Sequence, residues 1–115
     1  MSNVKQVFQE INDALSREPK YAEGVNAVYQ FNLTDEDPGI YQLILKNDHR
    51  SCAEGEKEQA DCTLHMKAED FVQMAEGKLN GTQAFMSGKL KIKGNMGLAL
   101  KLQSILATYN KEKNK

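Results

Sequence analysis

The stretch from residue 84 to residue 102 constrains the fold most, because the spacing of its apolar residues changes twice within a short span. Leu90 and Ile92 alternate with lysines, which is the period-two pattern of a half-buried strand. Gly88 and Gly94 flank this strand as turn residues. After the second glycine the apolar residues are too many for one narrow stripe. This surplus predicts a helix that forms a wall of an apolar space.

The same stretch resembles the signature of the sterol carrier protein 2 family, in which A-F-M-x-G-K-[LI]-K-[IV]-x-G-[DN] leads into the last helix. Here residues 84–95 read Ala-Phe-Met-Ser-Gly-Lys-Leu-Lys-Ile-Lys-Gly-Asn, so the match is long and almost unbroken. The resemblance extends more loosely from the first helix to Tyr109. It implies a single domain whose five-stranded sheet and helices enclose a hydrophobic tunnel for lipids.

The size and charge of the chain limit its class. Its 115 residues suit one domain, which we place at residues 1–110 and follow with a flexible basic tail at residues 111–115. The net charge of -1 argues against bulk attraction to nucleic acid. Neither a secretory signal nor a C-terminal Ser-Lys-Leu address is visible, so we expect a cytoplasmic protein of bacterial type.

The order of predicted elements indicates the fold class. One amphipathic helix comes first, then four strands in meander-like succession, two helices, a fifth strand and a last helix. Strands followed by helices favour an α+β fold over a doubly wound parallel sheet. The five-stranded sheet would carry helices on one face, and a long crossover would return strand five to it. Thr82 is expected to cap the shorter of the two middle helices.

The candidate ligand site is apolar and rich in methionine, which suits adaptable pockets. A packed core is the alternative, and it would make the protein an interaction or accessory module whose cavity is filled by its own side chains. The resemblance favours the cavity. The residues predicted to line it are Phe71, Met74, Phe85, Met86, Leu90, Ile92, Met96, Leu100 and Leu106.

A basic cluster lies beside the start of the last helix. Helix N-termini offer free N–H groups to anions, so a head group could bind there. We predict Lys93, Asn95 and Lys101 as head-group residues. The simpler alternative is that Lys89, Lys91 and Lys93 face solvent and protect a sheet edge.

His49-x-x-Cys52 and Cys62-x-x-His65 together contain the residue types of a zinc site. Residues three apart on a strand point to opposite faces, so neither pair should converge on one ion. We therefore predict no metal site, with Cys62 packed inward and His65 facing out. A thiol or metal protein that uses Cys52 and Cys62 ranks third among the alternatives.

The sequence contains no nucleophile elbow, HExxH motif or convergent triad, so we expect no catalysis and no cofactor. The leading hypothesis is an intracellular carrier that holds a fatty acid, fatty acyl-CoA, phospholipid or sterol. Its partners would be that lipid and, transiently, a membrane surface.

Overall fold

The structure, a computed structural model, describes residues 4–17, 26–35, 38–46 and 49–113. The helices and strands in these ranges follow the predicted order along the chain. They are α1 (Val4–Arg17), β1 (Ala27–Thr34), β2 (Gly39–Lys46), β3 (His49–Glu54), β4 (Cys62–Lys67), α2 (Ala68–Ala75), α3 (Gly81–Met86), β5 (Leu90–Gly94) and α4 (Met96–Lys113).

The five strands form one sheet in the order β3-β2-β1-β4-β5. The first three strands are an antiparallel meander, as expected, but the meander-like placement of strand four is wrong. β4 runs parallel to β1, with Leu64 opposite Phe31, and β5 pairs antiparallel with β4. The crossover between β3 and β4 is the loop of residues 55–61. Turn signals in a sequence do not indicate which edge of a sheet the next strand joins.

The helices cover one face of the sheet, and the core lies between them and it. Phe8 of α1 stacks on Phe71 of α2, with ring centroids 4.7 Å apart and planes at 12°. Phe31 of β1 meets both rings edge-on at 5.4 and 5.1 Å. Pairs of this kind stabilise a fold by roughly 0.5–1.5 kcal/mol beyond the area they bury. These rings therefore form the rigid centre of the core.

The second face of the sheet is partly covered by the loop of residues 55–61. Buried Gln42 holds this loop, because its Oε1 accepts from the N–H groups of Lys57 and Glu58 at 3.0 Å each. Its Nε2 donates to the carbonyl of Glu58 at 2.7 Å and to Oε1 of Gln30 at 2.9 Å. Ile44 is buried on the same face, which explains why β2 is apolar on both sides.

The start of α3 differs from expectation. The cap of α3 is Asn80, whose Oδ1 accepts from the N–H groups of Thr82 at 2.8 Å and Gln83 at 3.2 Å. The prediction of Thr82 as the cap is wrong, because Thr82 already lies in the first turn. Gly77 follows α2 with φ at +79°, the left-handed conformation that glycine adopts readily.

The last helix, α4, is longer than the sequence indicated. It ends at Lys113, so residues 111–113 of the predicted tail are helical, while residues 114–115 lie outside the described residues. Among the helices that the structure describes, none is both long enough and apolar enough to cross a membrane.

Candidate functional site

A cavity of about 140 Å³ lies between the β4–β5 end of the sheet and the helices α3 and α4. Its floor comes from the strands and α2, and its walls come from α3 and from one side of α4. The lining residues are Leu64, Met74, Gly81, Thr82, Phe85, Leu90, Ile92, Met96, Ala99, Leu100, Leu102 and Gln103.

The structure brings most of the predicted ligand-binding residues to this wall. Their alternation on β5 and their spacing on the helices place them on the inward faces, as the sequence pattern indicated. That these residues contact a ligand stays a prediction. The predicted residues that line the cavity are Met74, Phe85, Leu90, Ile92, Met96 and Leu100.

Three other predicted residues lie elsewhere. Phe71 is fully buried in the aromatic centre of the core, where it stacks on Phe8, and it does not line the cavity. Leu106 is buried in the core further along α4. Met86 ends α3 and points to solvent, with 79% of its surface exposed. In the sequence, the apolar character of these three residues did not distinguish them from the residues that line the cavity.

Several wall residues were not singled out from the sequence. Met96, Ala99 and Gln103 are spaced at i, i+3 and i+7 on α4, so a helical-face count could have found Ala99 and Gln103. The other four wall residues had sequence patterns that indicated a different role. Leu64 and Leu102 had the spacing of core residues, and Gly81 and Thr82 had the composition of a helix start.

Thr82 and Gln103 are the two lining residues whose side chains are polar. The hydroxyl of Thr82 donates to Oε1 of Gln103 at 3.3 Å. Gly81 makes room for this pair, because a methyl group at Gly81 would lie 2.7 Å from the same oxygen. The carboxamide of Gln103 is therefore the polar group best placed to meet a ligand's polar atom.

One side of the cavity opens to solvent. Phe85, Met96 and Leu100 line the wall, yet 44%, 47% and 65% of their surfaces are exposed. Side chains that belong both to a cavity wall and to the molecular surface mark its mouth. The mouth lies between the end of α3 and the first turns of α4.

The predicted head-group residues lie outside the wall. The side-chain oxygen of Asn95 accepts from the N–H groups of Gly97 at 2.8 Å and Leu98 at 3.2 Å, so it already occupies the start of α4. Lys93 projects from the face of β5 opposite Ile92, and Lys101 is exposed on α4. Head-group binding by these residues stays a prediction, and the cap formed by Asn95 weighs against it.

The two cysteines are in settings that keep their thiols protonated. Burial, and secondarily the charge of Asp13, raises the pKa of Cys52 to about 12. Burial and the charge of Asp61 also raise the pKa of Cys62. His65 lies on the opposite face from Cys62, with its Nδ1 3.4 Å from Asn32. Within the described residues, no group of three or more metal-ligating side chains converges.

A second hollow, of about 240 Å³, lies between α1 and β3. It is larger than the first but mixed in polarity, and Lys5 and Glu54 form a 3.7 Å ion pair among its lining residues. Asn12 accepts there from the N–H of Cys52 at 3.1 Å. These polar groups already bind one another, so the apolar cavity is the better candidate site.

A sheet with helices on one face, and an apolar cavity between the two layers, define a class of small domains that enclose apolar ligands. The chain belongs to the SCP-2 sterol transfer family, whose family model matches residues 5–107. The resemblance seen in residues 84–95 is thereby confirmed.

Individual relatives agree with this assignment. Hydroxysteroid dehydrogenase-like protein 2 of Danio rerio is 47% identical over 105 residues, which are 90% of this chain and 25% of that protein. The chain thus spans about a quarter of the curated relatives it matches. Sterol carrier protein 2 of Yarrowia lipolytica, solved without ligand, is 32% identical with a TM-score of 0.77, over 90% of this chain and 89% of that one.

A second solved structure shares the fold at lower identity. Sterol carrier protein 2 of Aedes aegypti, solved in complex with the C16 fatty acid palmitate, has a TM-score of 0.74 and 24% identity. The alignment covers 93% of this chain and 97% of that one. This likeness shows that the two chains have the same fold.

Proposed function

We propose that this protein holds a lipid with a long apolar chain in the cavity beneath α3 and α4, and carries it without changing it chemically. The observation that supports this proposal most directly is the wall, where Thr82 and Gln103 supply the polar side chains and the other side chains are apolar. Removing an apolar chain from water stabilises the complex by roughly 0.8 kcal/mol per methylene. Fatty acids, acyl-CoA, phospholipids and sterols share this chemistry.

The size of the cavity indicates how a long chain fits. Its volume of about 140 Å³ is close to that of a cavity of ~150 Å³ that accommodates benzene. A long acyl chain therefore needs more room, either by leaving through the mouth or by moving the wall outward. Met74, Met96 and Phe85 are well suited to such movement, because methionine adapts its shape easily and Phe85 is partly exposed.

The comparisons support a lipid ligand without naming it. The Aedes aegypti protein of the same fold was solved with palmitate. The dehydrogenase-like relatives are about four times as long as their matched part, and our proposal assigns no catalysis to this domain. The protonated thiols of Cys52 and Cys62 also make poor nucleophiles at neutral pH.

Titration of the delipidated protein with a fluorescent fatty acid tests the proposal. We expect saturable binding with a Kd of about 1 μM, near -8 kcal/mol, and displacement by oleate. Native mass spectrometry of protein purified from cells should show a co-purified lipid. If neither saturable binding nor displacement occurs up to the solubility limit, the accessory-module alternative with a self-filled cavity replaces the carrier.

A further inference from the structure

One row of side chains crosses the helix-covered face of the sheet from β5 to β3. Residues that are paired in register point to the same face, so the row consists of Ile92, Leu64, Phe31, Tyr41 and Glu54. Ile92 and Leu64 line the apolar cavity, whereas Tyr41 and Glu54 line the second hollow. Phe31 therefore stands between the two spaces.

Aromatic rings close the passage between the cavity and the hollow. Phe71 packs edge-on against Phe31, with ring centroids 5.1 Å apart. Phe8, which lines the hollow, stacks both on Phe71 at 4.7 Å and on Tyr41 at 4.8 Å. All four rings are buried. Interiors are close-packed, so these rings cannot move aside without displacing their neighbours.

Phe71 lies directly behind the cavity wall. Met74, which lines the cavity, follows Phe71 by three residues on α2, so the two side chains are neighbours on one face of that helix. Leu64, a second lining residue, is paired in register with Phe31. Leu64 and Met74 are buried, in contrast to the exposed side chains at the mouth. They therefore belong to the deep end of the cavity, with the aromatic rings behind them.

The chemistry of the wall decides which end of a fatty acid enters the cavity first. None of the lining residues that the structure describes is charged, so a buried carboxylate would have no ionic partner there. An unpaired charge in an apolar space is strongly unfavourable. The carboxylate therefore stays in water at the mouth, and the methyl end of the chain leads toward Leu64 and Met74.

We propose that Phe71 is a chain-length stop, which sets how many methylenes of an acyl chain the cavity takes up. The inference rests on the proposed function and adds a selectivity to it. Met74 adapts its shape to the end of a chain, because methionine is flexible. Phe71 does not, because Phe8 and Phe31 hold its ring in place. Methylenes in excess of the cavity's capacity remain at the mouth, where they add less affinity.

A series of saturated fatty acids from hexanoate to stearate tests the stop, each competing with a fluorescent fatty acid on the delipidated protein. Each buried methylene strengthens binding about fourfold, so the wild-type affinity should rise steeply and then level off at the length that fills the cavity. Phe71→Ala removes the ring, and the surrounding core relaxes only in part, which leaves apolar space behind Met74. In this variant the affinity should level off at a longer chain. Two methylenes beyond the wild-type limit should then strengthen binding about fifteenfold.

The matched control is Ile11→Ala, which truncates a buried side chain of the same core that lines neither space. Its affinity should level off at the wild-type chain length. Phe71→Leu, a milder truncation with a smaller expected shift, replaces Phe71→Ala if the latter does not fold. An unchanged limit in the folded Phe71 variant, or an equal shift in Ile11→Ala, overturns the stop.

The wild-type series separates this inference from the proposed function. A wild-type affinity that rises equally steeply up to stearate contradicts the chain-length stop alone. A wild-type protein that binds no fatty acid of the series contradicts the carrier itself.

Discussion

The hydroxyl of Tyr29 donates a 2.6 Å hydrogen bond to the carbonyl oxygen of Leu98, which ties the central strand β1 to the first turns of α4. Burial, with smaller contributions from the charges of Cys62 and Asp61, raises the pKa of Tyr29 well above its ordinary value. The phenol therefore keeps its proton at neutral pH and remains a hydrogen-bond donor there. Because α4 also forms a wall of the cavity, this bond helps to set the position of that wall.

Replacing Tyr29 with phenylalanine should remove this bond while filling almost the same volume. We expect the free energy of unfolding to fall by about 1 kcal/mol, the usual net value of a buried hydrogen bond. Amide hydrogen exchange should accelerate in the first turns of α4 more than in α1. Urea unfolding and hydrogen exchange measure the two effects. Uniform acceleration across both helices would contradict a local tether.

Gly81→Ala should narrow the cavity without unfolding the protein. The added methyl group displaces the flexible end of Gln103, which lies 2.7 Å from the new atom, and alanine favours a helix more than glycine does. We therefore expect a stability change within about 1 kcal/mol and a several-fold weaker affinity for fatty acid. Gly97→Ala in α4, outside the cavity wall, is the control and should bind normally.

Gln42→Ala tests the loop that crosses the second face of the sheet. The substitution leaves the N–H groups of Lys57 and Glu58 without their acceptor and Gln30 without its donor. Each unsatisfied buried group costs roughly 1–3 kcal/mol, so we expect a loss of at least about 2 kcal/mol. Urea unfolding measures this, with exposed Gln83→Ala as the control. Similar stability for both variants would show that the loop does not depend on Gln42.

The fold could largely be predicted from the sequence because the periodicities are local. Lysines that alternate with Leu90 and Ile92 produce β5, and the run of residues 84–95 identified the family. The pairing of β4 with β1 could not be predicted in this way. It depends on the loop of residues 55–61, which crosses the second face of the sheet and is held there by hydrogen bonds to Gln42. A buried glutamine within a strand gives no sign, in the sequence, of the groups to which it binds.

The site was predicted less completely, for a related reason. Phe85 and Met96 reach the cavity wall as expected, but Phe71 and Leu106 have the same apolar character and lie in the core. Which apolar side chain faces a void is decided by packing between elements. Gln103 shares a helical face with Met96, but it was missed because the search for wall residues followed apolar side chains and Gln103 is polar.

Stability should fall with rising pH above about 9, in part because of Cys52. Its pKa is raised from 9.0 to about 12 in the folded protein. Below 9 both states keep the proton, and the full stability is present. Between 9 and 12 the unfolded chain loses the proton while the folded chain keeps it, so the free energy of unfolding decreases. Cys52→Ala should show a flatter pH dependence in urea unfolding, while Tyr29 and Cys62 contribute equally to both proteins. Parallel curves would exclude this role.

Leu100→Trp should block the cavity at its mouth, because Leu100 lines the wall and is also largely exposed. In a tightly packed core so much added volume costs about 1–3 kcal/mol, whereas at an open mouth the indole extends into the space that a ligand needs. We therefore expect a small change in stability with a strong loss of fatty-acid affinity.

Met86→Trp is the matched control, since Met86 lies outside the wall, and its affinity should stay near wild type. Urea unfolding and ligand titration must use the same delipidated protein, because bound lipid raises apparent stability. Severe destabilisation of Leu100→Trp with unchanged affinity per folded molecule would show that Leu100 belongs to the core and not to a ligand cavity.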